Sequence, residues 1–160
     1  MKLAQTYKKS FPRAWAHITS LSVRLTDKKY DGFKLFGHAD RSEVKTACDP
    51  HSDPDLVIVL LPVGTDGQRN PMTGKLEVNE ILVKAFEKRL ITGAQLDRIV
   101  EHELTHWFDD AYWQTPHPGE MRRHGDVGTL YEGYVYGGLF IPDYGHICRR
   151  LYGGPCPTAR

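Results

Sequence analysis

One segment constrains the fold more than any other: a long helical pattern that runs from Gly93 to about Trp113. At its start, Thr92 and Gln95 have the spacing of a capping box, in which each side chain accepts a hydrogen bond from the backbone N–H of the other residue. Apolar side chains then recur along one face of this helix, at Leu96, Val100, Leu104, Trp107 and Ala111. At 100° per residue they fall within about 80° of one another, so we predict that this stripe faces the core.

The same helix carries the motif His102-Glu103-Leu104-Thr105-His106, written HExxH. Histidines four residues apart lie one above the other, about 6 Å apart along the axis, so both imidazoles can reach one zinc ion. Glu103 lies about 100° further round and can take a proton from zinc-activated water without binding the metal. On a helical wheel with His102 at 0°, His106 lies at about 40° and the apolar stripe lies at about 120–200°. The motif therefore predicts a zinc site, and the alternative is a solvated helix face with two incidental histidines.

Composition and charge exclude several classes of protein. The chain has 160 residues and a net charge of +1, with 21 basic and 20 acidic side chains. We expect a single domain over residues 1–160, and no nucleic-acid partner, because the charge is balanced. The longest apolar run, Leu56–Val63, is far shorter than the roughly 20 residues that a membrane span needs. No signal peptide is evident either, so the expected location is the cytoplasm or a site reached by signal-independent export.

Several shorter elements are predicted around the long helix. Leu56–Leu61 is the clearest strand, because it is continuous, apolar and rich in β-branched residues. Asn79 is placed to cap a helix over residues 80–89. The remaining predicted elements are a helix at Phe11–Ile18, strands at Leu21–Leu25, Phe33–Phe36 and Lys75–Val78, and a short helix within Gly125–Phe140. We expect mostly irregular structure from Gly137 onward, and we expect the three cysteines to be free thiols, with a Cys148–Cys156 pair as the alternative.

The motif helix resembles that of the zincin clan of metallopeptidases, over residues 92–113 and more loosely to about residue 140. The resemblance implies an α+β domain in which a twisted mixed sheet packs on the HExxH helix. It also implies that an antiparallel edge strand binds extended substrate, and Leu56–Leu61 is our candidate for a strand of that sheet.

The segment His106–Tyr112 looks like the helix of toxin-type zincins of the anthrax lethal factor family, a gluzincin-like arrangement. In that family the third zinc ligand is a Glu on a later helix, which implies Glu132 here. The family's second acid, one turn later, is replaced by Tyr136 in this chain.

Other residues remain candidates for the third ligand. His117 lies in a segment similar to the third-ligand segment of the SprT-like proteases. Glu120, His124 and Asp126 are further options, because imidazole and carboxylate both suit zinc. The segment that starts at Asp126 also resembles the Gly-Thr segment of the aspzincins, although the spacing does not fit.

Supporting roles are expected for residues near the motif. Asp109 and Asp110 flank the histidine face, so we predict that they accept hydrogen bonds from the metal-binding imidazoles. A zincin also needs a group that stabilises the oxyanion, and our candidates are Tyr134 and Tyr136, with Tyr131 and His124 as alternatives.

These features predict a zinc-dependent metalloendopeptidase that hydrolyses a protein or peptide substrate, with Glu103 as general base. A zinc amidase acting on cell-wall peptides is one alternative, and a non-catalytic binding protein with a zincin fold is the other.

Overall fold

The structure is a computed structural model that describes residues 1–112 and 125–159. Eight α-helices and four strands form in this part of the chain, which confirms the predicted α+β class. The strands are β1 (Lys2–Leu3), β2 (Asp55–Val59), β3 (Gly67–Arg69) and β4 (Leu76–Asn79). The helices are α1 (Thr6–Ser10), α2 (Pro12–Thr19), α3 (Asp27–Gly37), α4 (Arg41–Ala47), α5 (Glu80–Glu87), α6 (Gly93–Tyr112), α7 (Val127–Tyr136) and α8 (Tyr144–Tyr152). None of the helices in these ranges has both the length and the apolar character needed to cross a bilayer.

The four strands form one mixed sheet in the order β1-β2-β4-β3. β2 runs parallel to both β1 and β4, with Leu56 opposite Leu76, whereas β3 runs antiparallel to β4, with Gly67 opposite Val78. The strand predicted at Leu56–Leu61 is confirmed as β2 and lies inside the sheet. The antiparallel edge strand is β3, which packs against α6.

The motif helix α6 is anchored as its sequence predicts. Thr92 N–H donates to Gln95 Oε1 at 2.8 Å, and Gln95 N–H donates to Thr92 Oγ1 at 3.2 Å, which confirms the capping box. The first three members of the apolar stripe are buried, but at the end of the helix Phe108 takes the core position. Ala111 is exposed although it lies on the predicted stripe, so the buried face of α6 shifts near its end to the side that carries Phe108.

Two sequence predictions about secondary structure are wrong. Leu21–Leu25 is largely a 3-10 turn, and Phe33–Phe36 lies inside α3. Apolar runs of this length do not distinguish a strand from one face of a helix, and the side chain of Thr26 accepts a hydrogen bond that starts α3. From Gly137 onward the described chain is mostly irregular, as expected, apart from α8, which Asp143 caps at its N-terminus and Gly153 ends in the left-handed conformation.

The cysteines also differ from the main expectation. Cys148 and Cys156 form a disulfide that joins α8 to the segment after it, while Cys48 is free and buried in the core. The pairing is local, between residues eight apart, so it is the alternative interpretation of the sequence that the structure bears out.

A buried ion pair joins α3, α6 and α7. Lys29 Nζ lies 2.7 Å from Glu101 Oε1, and the two residues are 8% and 0% exposed. The other carboxylate oxygen of Glu101 accepts hydrogen bonds from Tyr131, at 3.0 Å, and Tyr136, at 2.6 Å. Burial raises the pKa of Glu101, and the charge of Lys29 opposes that rise. These contacts fix α7 against α6, one residue before His102.

Replacing Lys29 by Met should lower the free energy of unfolding by about 3 kcal/mol, because it leaves the buried Glu101 without its cation. Urea unfolding followed by circular dichroism measures the change. The control is Lys34→Met on the same helix, whose side chain is exposed and whose loss should cost less than about 0.5 kcal/mol. Equal losses in the two variants would show that the ion pair does not hold α3 on α6.

Candidate metal centre

The two motif histidines point the same way from α6. Their ring centroids are 5.2 Å apart, and both side chains are partly exposed. Each Nε2 atom faces one oxygen of the Asp126 carboxylate, at 3.3 Å for His102 and 3.1 Å for His106. Among the described residues, these three offer ligand atoms that all lie within 4.8 Å of one another. The group could therefore hold a metal ion between α6 and the start of α7.

Asp126 is positioned by the first turn of α7. It is the N-cap residue, and its Oδ1 accepts a hydrogen bond from Thr129 N–H at 2.7 Å. The hydrogen bond with His106, together with that from Thr129 N–H, holds the pKa of Asp126 well below its usual range. The carboxylate is therefore ionised, which is the state that binds a cation.

Glu132 contacts the opposite nitrogen of His102. Its Oε1 lies 2.8 Å from Nδ1 of that imidazole, and its Oε2 accepts hydrogen bonds from Arg98 and from Phe140 N–H. Burial opposes ionisation, but the hydrogen bonds from His102 and Phe140 outweigh it and lower the pKa of Glu132. A carboxylate on Nδ1–H leaves Nε2 as the nitrogen available to a metal. The sequence prediction made Glu132 the third ligand, and in the structure its carboxylate lies at the nitrogen of His102 opposite to the one that faces Asp126.

Glu103 faces a cavity of about 280 Å³ beside His102. Its side chain is largely enclosed, with the residue 6% exposed, and burial raises its pKa to about 7. The walls of the cavity come from the loop before β3, from α6, from α7 and from the segment after it. The lining residues include Asp66, Gly67, Ile99, Thr129, Leu139 and Phe140. A buried carboxylate that titrates near neutral pH can accept and return a proton.

Residues 7–137 match the model of a protein family described as metallopeptidase toxin 3. The chain belongs to this family. Membership confirms the resemblance to toxin-type metallopeptidases that the motif helix shows. It also implies a metal cofactor and a protein substrate. The match includes α6, Asp126 and Glu132, but it ends before α8 and the disulfide. No curated protein and no solved structure matches the chain.

The two acids after the motif, Asp109 and Asp110, contact residues outside it. Asp109 lies 3.5 Å from Nε2 of His38, and Asp110 lies 2.7 Å from Arg69. Asp109 is seven residues beyond His102, about 10 Å along the helix axis, so it is a poor partner for that imidazole. At Nδ1 of His102, the carboxylate in contact is Glu132.

The predicted oxyanion-stabilising tyrosines are also directed elsewhere. Tyr136 donates its hydroxyl hydrogen bond to Glu101, in the buried network. Tyr134 is exposed, and its ring packs against Phe36. Neither lines the described cavity beside His102. The alternative third ligands His117 and Glu120, together with His124, lie outside the described residues.

Two glycines allow the backbone to approach the motif closely. A Cβ added at Gly67 would lie 2.7 Å from Glu103 Cγ, and one at Gly128 would lie 2.4 Å from His102 Cδ2. Sequence reasoning missed both glycines, and it ranked Asp126 below Glu132. The signal for Asp126 was available, because an Asp directly before an apolar residue, here Val127, is typical of a helix N-cap.

Replacing Gly128 by Ala should lower the free energy of unfolding by about 1–3 kcal/mol, because the new methyl group overlaps the His102 ring. Gly133 on the same helix has no atom within 4 Å of its added Cβ, so Gly133→Ala should stabilise the protein by about 0.5–1 kcal/mol. Denaturant unfolding of both metal-free variants measures the difference. Stabilisation by both substitutions would contradict the close packing of α7 on His102.

Proposed function

We propose that this chain is a zinc-dependent metalloendopeptidase, with His102, His106 and Asp126 as the zinc ligands and Glu103 as general base. The observation that carries the proposal is the convergence of two Nε2 atoms and one carboxylate beside a cavity that Glu103 also lines. Two imidazoles and a carboxylate are a donor set that suits zinc. Nε2 of His102 lies 3.3 Å from one oxygen of Asp126 and Nε2 of His106 lies 3.1 Å from the other, so the carboxylate faces both imidazoles.

Each residue then has a defined task. A bound zinc ion supplies a Lewis acid for the scissile carbonyl and lowers the pKa of water. Glu103 would accept the proton of the attacking water and return it to the leaving amine. Glu132 holds the His102 imidazole by its Nδ1–H, so that Nε2 keeps its orientation.

The edge strand β3 supports a peptide as the substrate. Gly67 of this strand adjoins Glu103, and in the described ranges no strand pairs with the outer edge of β3. An extended peptide can add to such an edge through main-chain hydrogen bonds, which would bring its backbone past the base. The same residues could serve the amidase alternative, but the metallopeptidase family favours hydrolysis of proteins or peptides.

The substitution Glu103→Gln should lower kcat by about 10²–10⁴, because the amide cannot accept the proton of water. Hydrolysis of a quenched-fluorescent peptide library and zinc content by plasma mass spectrometry are measured together. Zinc content should be unchanged. Glu80→Gln is the matched control, since this partly exposed side chain pairs with Lys84 on α5. Full activity in Glu103→Gln would overturn the assignment of the base, and wild-type protein that binds no zinc would overturn the whole proposal.

The third ligand is tested by two matched amide substitutions. Asp126→Asn should weaken zinc binding by more than about 100-fold, whereas Glu132→Gln should weaken it by about 10–100-fold, the range for residues that only orient a ligand. Competition with a chromophoric chelator measures both affinities. Asp110→Asn is the control, since that residue pairs with Arg69. If Glu132→Gln has the larger effect, Glu132 is the ligand.

A further inference from the structure

Asp66 is a third carboxylate that lines the cavity, besides Glu103 and Glu132. Asp66 lies just before the edge strand β3 and shares the cavity wall with His102 and Glu103. Its Oδ1 accepts a hydrogen bond of 2.8 Å from the hydroxyl of Tyr144, the first residue of α8. Tyr144 is 7% exposed and also accepts a hydrogen bond from Asn79. The buried Tyr144, which takes no part in the proposed reaction, thus fixes the position of the Asp66 carboxylate.

Within residues 1–112 and 125–159, no Lys or Arg forms an ion pair with Asp66. The neighbouring Glu132 is already paired with Arg98 and His102. The negative charges of Asp126 and Glu103 would neutralise a divalent cation at the proposed site. The negative charge of Asp66 would then remain without a counter-charge. A partly buried carboxylate without a counter-charge is unfavourable, and an incoming cation would relieve that cost.

The rest of the cavity suits the stem of a long basic side chain. Ile99, Leu139 and Phe140 supply apolar surface on its walls, and Leu139 is half exposed at the rim. The methylene groups of Lys and Arg pack on such surface while the charged end reaches a polar partner.

We propose that Asp66 is a specificity-determining residue that binds a cationic nitrogen group of the substrate next to the scissile bond. The group is either a Lys or Arg side chain or the free α-ammonium of the peptide, since both present the same chemistry to a carboxylate. This inference rests on the proposed peptidase function.

The test uses quenched-fluorescent peptides in which each of the four positions on either side of the cleaved bond is Lys, Arg, norleucine or Glu. Every peptide is made with a free and with an acetylated N-terminus. Zinc-loaded wild type, Asp66→Asn and the control Asp55→Asn, whose side chain lies at the surface on β2, are compared by kcat/KM. In wild type, a Lys or Arg at one position, or a free N-terminus, should raise kcat/KM about tenfold over norleucine or the acetylated form.

Asp66→Asn should reduce that preference to less than about twofold, because the cationic peptides are cleaved more slowly, and measurable cleavage of the norleucine peptides shows that the variant is folded. Dependence on the internal residue identifies a side chain as the bound group, and dependence on acetylation identifies the α-ammonium. The inference is overturned if wild type cleaves all peptides alike, or if the preference survives in Asp66→Asn.

A binding measurement separates this inference from the proposed function. Calorimetry with the Glu103→Gln variant compares the Lys and norleucine peptides, with and without Asp66→Asn in the same chain. A roughly tenfold tighter binding of the Lys peptide that disappears with Asp66→Asn supports the role of Asp66 even if no peptide is hydrolysed. Equal binding of the two peptides contradicts it even if the protein proves to be an active peptidase.

Discussion

The candidate site depends on the contact between α6 and α7, because this contact brings Asp126 and Glu132 next to the two motif histidines. On one side of His102, the buried Glu101 binds Lys29 of α3 and two tyrosines of α7. On the other side, the start of α7 packs closely against the imidazole, because Gly128 has no side chain that would overlap the ring. Asp126, the N-cap residue of α7, and Glu132, six residues later, contact opposite nitrogens of this ring.

This arrangement divides two roles between two carboxylates of one helix. Asp126 is partly exposed and reaches both Nε2 atoms, so it is suited to bind a metal with them. Glu132 is buried and fully occupied by His102, Arg98 and Phe140 N–H, so it is suited to orient an imidazole. The sheet contributes the remaining wall, because the loop before β3 brings Asp66 to the cavity and Gly67 brings the backbone of the edge strand against Glu103.

What could be predicted from the sequence follows the range of the interactions involved. The HExxH helix, its capping box and the buried half of its apolar stripe depend on residues within a few turns of one another, and all were predicted from spacing. The ligand role of Glu132 rested on a family resemblance, whereas the choice between Asp126 and Glu132 depends on how α7 docks across α6. That docking is set by Gly128 and by the Lys29–Glu101 pair, whose members are 72 residues apart. No local pattern reports such contacts. The error at Phe33–Phe36 has a different cause, because a short apolar run fits one face of a helix as well as a strand.

A crystal structure of the zinc-loaded protein, with anomalous data collected on both sides of the zinc absorption edge, tests the central claim most directly. The account predicts one zinc peak within about 2.0–2.2 Å of Nε2 of His102, Nε2 of His106 and a carboxylate oxygen of Asp126, with Glu132 still on Nδ1 of His102. A peak bound by Glu132 in place of Asp126, or no peak between the two histidines at full zinc occupancy, would contradict it.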